Sequence, residues 1–205
     1  MHPKVLDANA WELISDLVAA DITKNWTLCG GTGLALQFGH RTSFDLDFFR
    51  YESFEPEQLL GRMAGIGQVE ILTRAERTLH AHIRGMRISF LGLESPLLFE
   101  SIAYRGLQLG DPRDIATLKL VAIGGRGSRK DFVDLYFYLR QSPGLEHLFE
   151  LLEQRDSRID WNRYHLMKSL TYFADAEEEP MPNMLKPVEW EEIREFFNKV
   201  ATEAF

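Results

Sequence analysis

Asp45 and Asp47 stand two residues apart in Ser43-Phe44-Asp45-Leu46-Asp47-Phe48-Phe49, downstream of the run Gly30-Gly31-Thr32-Gly33. Side chains along a strand alternate in direction, so both carboxylates emerge on one face while Phe44, Leu46 and Phe48 point to the other. Two adjacent oxygen donors can hold Mg²⁺, which favours carboxylates plus substrate phosphates over a closed protein cage. Paired glycines let a backbone turn sharply and approach a phosphate closely, and Thr32 adds a hydroxyl donor. Those residue types in that order suit metal-dependent phosphoryl or nucleotidyl transfer.

Several elements must position them. Trp26-Thr27-Leu28-Cys29 reads as a short strand leading into the glycines, and Leu34, Ala35, Leu36 and Phe38 suggest a short helix after them. Before that strand, Trp11, Leu13, Ile14, Leu17 and Val18 form one apolar stripe on a helix from about Asn9 to Ala20. Glu55-Pro56-Glu57 starts another helix, because proline is tolerated in a first turn and acidic groups suit the positive end of the dipole. Strands follow over 69–73, 78–83 and 86–91, with Arg84-Gly85 reading as a hairpin turn. From Asp111-Pro112-Arg113-Asp114 the period becomes helical. Helices are expected up to Gly124-Gly125, then over 130–140, 144–154, 162–173 and 190–200, with 174–187 an acidic, proline-containing connector. The fold class is therefore α+β: a sheet-containing part over 1–110, with a helical part over 111–205 packed on it.

At 205 residues, 45% hydrophobic and 26% charged, the composition is that of a soluble globular protein. A net charge of -8 argues against a basic coat for broad nucleic-acid binding, though it leaves room for a local basic groove. The single cysteine, Cys29, excludes an intramolecular disulfide and a sulfur-rich metal motif, which makes a reducing cytoplasm the expected location. No signal peptide is visible, and no apolar run approaches the roughly 20 residues needed to span a bilayer, so no membrane role is expected.

Three blocks resemble a known family. The first runs from Gly30 to Phe49, with 13 residues between Gly31 and Asp45. The second comprises Asp114-Ile115-Ala116, Lys119, Ala122, Arg126-Gly127 and Arg129-Lys130-Asp131-Phe132-Val133-Asp134-Leu135-Tyr136. The third runs from Leu170 through Pro180 to Trp190. Together they resemble the nucleotidyltransferase superfamily and, within it, AbiEii-type toxins of toxin-antitoxin and abortive-infection systems. That resemblance implies a nucleotidyltransferase fold, Mg²⁺-dependent binding of a nucleoside triphosphate, and nucleotide transfer to an acceptor such as a tRNA 3′ end. It also implies a cognate antitoxin as partner. Under it, Asp45 and Asp47 hold the metal, and Gly30, Gly31, Thr32, Arg41, Ser43 and Arg126 bind the nucleotide. Lys119, Asp131 and Asp134 join the two acids as catalytic candidates.

One position departs from the pattern. Superfamily enzymes usually carry a third carboxylate on a later strand, and here Arg87, Ser89 and Leu91 alternate outward with Ser89 in its place. Either Glu70, Asp131 or Asp134 takes that part, or the protein is a weak or inactive binder of nucleotides or partners on the same fold. Blander readings stand beside several residues. Lys119 reaches a triphosphate or snorkels to solvent. Asp131 and Asp134, at i and i+3, share a helix face, where Asp131 also suits the dipole. Arg126, Arg129 and Lys130 suit triphosphate, RNA backbone or open water, and His40 faces the site or caps a helix. Cys29 reads as a small buried apolar residue. Trp161, Tyr164, Tyr172 and Phe173 read as helical core.

Overall fold

Leu79, Ala81 and Ile83 are buried while Thr78, His80 and His82 between them are half-buried, the signature of a strand with one face in a core. The computed structural model describes residues 1–203. Its strands are β1 (Thr27–Leu28), β2 (Asp45–Arg50), β3 (Val69–Ala75), β4 (Thr78–Ile83), β5 (Met86–Gly92), β6 (Ile102–Tyr104) and β7 (Leu107–Leu109). They form one seven-stranded sheet in the order β3-β4-β5-β2-β1-β7-β6. β2 is parallel to β5 and β1 to β7, and the other neighbours are antiparallel.

One face of this sheet is apolar. Leu46, Phe48, Leu79, Ala81, Ile83, Ile88 and Phe90 pack with Leu13, Ile14 and Leu17 of α1 (Ala8–Ala19) and Leu59 and Met63 of α3 (Pro56–Met63). Each such side chain, fully buried, contributes about 1.5–3 kcal/mol. Phe48 and Phe90 stack with centroids 5.2 Å apart. Phe44 does not join them: β2 begins only at Asp45, and Phe44 is 57% exposed. The other face carries Asp45, Asp47, His80, Arg87 and Ser89.

The helical half has its own core. α4 (Pro112–Gly125), α5 (Arg129–Leu139), α6 (Leu145–Arg155), α7 (Arg163–Ser169) and α9 (Trp190–Glu203) contribute to one apolar cluster. In it Phe132 meets the rings of Phe173, Trp190 and Phe197. α2 (Gly30–Phe38) joins the halves, lying against β2, α4 and α5. No helix among the described residues is long and apolar enough to cross a membrane.

Several expectations are corrected. The glycines do not precede the α2 helix; Gly30 and Gly31 are its first turn. β6 and β7 form a hairpin the sequence reading lacks, because strands of three residues are too short to display alternation. Its Arg105-Gly106 turn repeats the positive φ angles of Arg84-Gly85. The helix expected over 162–173 ends at Ser169, which leaves Tyr172 58% exposed beyond it, and Tyr164 on its first turn is 67% exposed, so neither is in the core. The 174–187 connector contains one short helix, α8 (Ala174–Glu177). Its later residues strap the loop between α2 and β2: Asn183 O accepts from Thr42 N, and His40 O accepts from Leu185 N and Lys186 N at 2.8 and 3.0 Å.

Candidate active site

Gly30 has φ +59°, and a Cβ built there would lie 2.5 Å from Asp47 Oδ2. Only glycine accepts both the left-handed backbone and that contact. At Gly31 a Cβ would lie 1.9 Å from Arg41 Nη2. The pair thus clears room for two side chains, one acidic and one basic, where α2 starts beside β2. Thr32 and Ser43 tie the same elements together: Thr32 Oγ1 bonds Ser43 Oγ at 2.6 Å and also reaches Asp45 O. Both residues are buried, so their hydroxyls serve the α2–β2 joint.

Asp45 and Asp47 open into a cavity of about 570 Å³. The sheet floor adds His80, Arg87 and Ser89; α4 and α5 add Lys119, Lys130 and Asp131, the turn between them adds Arg126, Gly30 lines it from α2, and Glu179, which accepts from Arg129 N at 2.9 Å, lines its rim. Lys130 Nζ lies 3.4 Å from Asp45 Oδ2. Two other clefts, of about 540 and 470 Å³, surround Trp26 and Arg50 and include neither acid. Among the described residues no three His, Cys, Asp or Glu side chains converge to hold a metal by themselves. Two carboxylates open to a cavity are the hard oxygen donors that Mg²⁺ takes alongside substrate oxygens and water.

Behind the cavity lies a compact layer of charge. Asp134, fully buried, receives Arg41 Nε at 2.7 Å, Arg41 Nη2 at 2.9 Å, His40 Nε2 at 2.8 Å and Lys119 Nζ at 2.7 Å. Asp131 receives Lys119 Nζ at 2.7 Å and Arg126 Nε at 2.8 Å. Burial raises the pKa of both aspartates, but the cations outweigh it. Arg41 and Lys119 hold Asp134 well below the usual carboxylate range, and Lys119 and Arg126 hold Asp131 down too. Burial likewise pushes Lys119 down, while Asp134 and Asp131 more than offset it and keep the ammonium charged. At His40 burial wins over Asp134, so its imidazole is held neutral, and its Nδ1 has no partner among the described residues.

The sequence-derived candidates thus divide by depth. Asp45, Asp47, Gly30, Lys119, Arg126 and Asp131 border the cavity. Gly31, Thr32, Arg41, Ser43 and Asp134 are not on its wall: all are committed to contacts one layer behind. Ser89 lies opposite Asp47 in the parallel β2–β5 pairing. None of the candidate substitutes for the third acid is free in the cavity. Glu70 faces His82 at 3.6 Å on the edge of the sheet, and Asp131 and Asp134 are saturated by cations. Sequence reading missed His80, whose Nδ1 lies 2.9 Å from Ser89 Oγ. The two-residue turn at Arg84-Gly85 held the signal, because it fixes the register that pairs His80 with Ser89.

The family described as nucleotidyl transferase AbiEii toxin, type IV TA system, matches residues 12–109, the stretch carrying α2, Asp45, Asp47 and Ser89. Over residues 12–109 the chain carries the AbiEii domain. Lys119, Asp131 and Asp134 lie beyond the matched residues. An uncharacterized protein of Aquifex aeolicus (strain VF5), aq_aa25, is 34% identical over 197 residues, covering 94% of each chain. MenT4, the nucleotidyltransferase toxin Rv2826c of Mycobacterium tuberculosis H37Rv, is similar in fold, with a TM-score of 0.57 at 16% identity over 95% of this chain and 84% of its own. The same holds for the antibiotic-resistance factor ANT(2″)-Ia, seen in complex with adenylyl-2″-tobramycin, with a TM-score of 0.53 at 16% identity over 74% of this chain and 99% of that one. The α+β architecture is that of nucleotidyltransferases.

Proposed function

We propose that this chain is an NTP-dependent nucleotidyltransferase acting as the toxin of a toxin-antitoxin pair, with a tRNA 3′ end as its acceptor. The observation that carries the reading is the cavity. It pairs two adjacent carboxylates on β2 with the start of α2 and with the cations Arg87, Lys119, Arg126 and Lys130. Asp45 and Asp47 would hold Mg²⁺ together with triphosphate oxygens; that ion neutralises phosphate charge and orients the reacting groups. Gly30 and the first turn of α2 offer backbone N–H groups to phosphate. Lys119 and Arg126 supply positive charge at fixed positions, held there by Asp131. Gly31, Thr32, Arg41, Ser43 and Asp134 act through others, by keeping α2, β2 and Lys119 in register. An acceptor hydroxyl is consistent with the nucleotidylated 2″ oxygen named in the ANT(2″)-Ia complex.

The test is incubation with α-labelled NTPs, Mg²⁺ and total tRNA. Label on RNA supports the reading, and label on polypeptide would redirect it to a protein hydroxyl. Mg²⁺–NTP binding that survives in an Asp45→Ala, Asp47→Ala double variant would overturn the site. Ser89 in the place of the third acid favours a second reading, a nucleotide- or partner-binding protein. Absence of label on RNA and protein under every metal tried would select it.

A further inference from the structure

His80, Ser89 and Asp47 occupy one row across three neighbouring strands. β4 pairs His80 with Ser89, and β5 pairs Ser89 with Asp47. All three border the cavity, on the face away from the apolar core. His80 Nδ1 lies 2.9 Å from Ser89 Oγ, and Ser89 is buried while His80 is half-buried. With Nδ1–H donating to Ser89, the lone pair of Nε2 is left available, as an imidazole needs if it is to accept a proton. A carboxylate at 89 would have reached the reacting groups directly. A serine is too short and too weakly basic, yet it can fix a ring that reaches over it.

The geometry points to His80 as the general base that accepts the acceptor hydroxyl's proton, with Ser89 as its positioning residue. This rests on the nucleotidyltransferase reading above. In the step, the acceptor oxygen bonds to the α-phosphorus while the bond from that phosphorus to the pyrophosphate oxygen breaks. Pyrophosphate leaves with the bonding pair, and the hydroxyl proton passes to His80 Nε2 and then to solvent.

The surroundings suit a neutral ring. Burial and the neighbouring Arg87 guanidinium lower the His80 pKa, opposed by Asp47. Thr73 pairs with it from β3; Asp45 borders the same cavity from β2, Lys119, Lys130 and Asp131 from α4 and α5, Arg126 from the turn between those helices, and Glu179 from the connector after α8.

The experiment compares wild type, His80→Ala and Asp47→Ala in transfer of α-labelled NTPs to total tRNA, with Mg²⁺–NTP affinity measured separately by equilibrium titration. His80→Ala should lower kcat by about 10²–10⁴-fold, the usual share of a general base, with NTP affinity unchanged. Added imidazole should restore part of that loss, and Ser89→Asp in the His80→Ala background should restore part of it by a second route. Asp47→Ala should lose both turnover and NTP affinity and recover neither with imidazole. Wild-type kcat in His80→Ala would overturn the proposal and leave the transferase reading standing. So would a loss of NTP affinity matching the loss of turnover, or failure of both rescues. No transfer by wild type would remove the transferase reading and this proposal together.

Discussion

Two pairs of aspartates, separated by different spacings, behave in opposite ways. Asp45 and Asp47, at i and i+2 on a strand, open into a cavity, and their nearest cation is the exposed Lys130 at 3.4 Å. Asp131 and Asp134, at i and i+3 on α5, are buried and meet Arg41, Lys119, Arg126 and His40. Identical side chains therefore serve separate ends: the open pair has oxygens to spare for a ligand, and the closed pair has spent its own on holding cations and elements in place.

Breaking the closed pair should cost most. Asp134→Ala strands Arg41 as a buried cation without its carboxylate and leaves Lys119 with Asp131 alone, and losing one partner of a buried pair costs about 3–5 kcal/mol. Asp47→Ala, by contrast, should melt close to wild type while losing Mg²⁺–NTP binding. Equal melting temperatures for the two variants would erase the distinction. Gly30→Ala touches the open pair through the backbone. Left-handed backbone at an alanine costs about 1–2 kcal/mol, and the added methyl pushes Asp47 out of place, so titration should show a fall in both stability and NTP affinity.

Acidification sharpens the contrast without mutation. His40, Asp131 and Asp134 all have lowered folded pKa values, so the unfolded chain binds more protons and stability falls as pH falls. The His40 share is present above about pH 6.5 and is lost below it. The aspartate share is present above about pH 3.9 and is lost as pH drops further. Melting temperatures from pH 8 to pH 4 should decline first below about 6.5, and His40→Gln should flatten that limb in part, because the His80 pKa is lowered as well. The smallest effect belongs to Lys130→Ala. An exposed pair contributes under about 1 kcal/mol, so stability should hold, while Mg²⁺ binding without nucleotide should tighten by a few-fold once the competing ammonium is gone.

What was legible in the sequence follows the range of each interaction. Asp45 and Asp47 could be placed on one face because strand period is local, whereas Lys119, Asp131 and Asp134 were named together only as candidates that the resemblance implied. Ser89 was singled out by the resemblance, as the residue in the third acid's expected place, and its pairing with Asp47 appears only in the structure. The engagement of Asp134 by Arg41, 93 residues away in sequence, was not, because no local pattern encodes a pairing of that separation. Nor did composition separate hydroxyls turned inward, as in Thr32 and Ser43, from hydroxyls turned to a ligand. Tyr164 and Tyr172 had the spacing of core residues but fall where α7 begins and just beyond its end.

The strap across the α2–β2 loop has a kinetic meaning. His40 and Thr42 obtain their backbone partners from residues 183–186, some 140 positions later in the chain. Closing so long a loop is entropically slow compared with forming a helix or a hairpin. During synthesis, the loop bearing Arg41 must wait for its partners while β2 and its two acids have already emerged. The loop beside the two acids is therefore fixed only after residues 183–186 have been made.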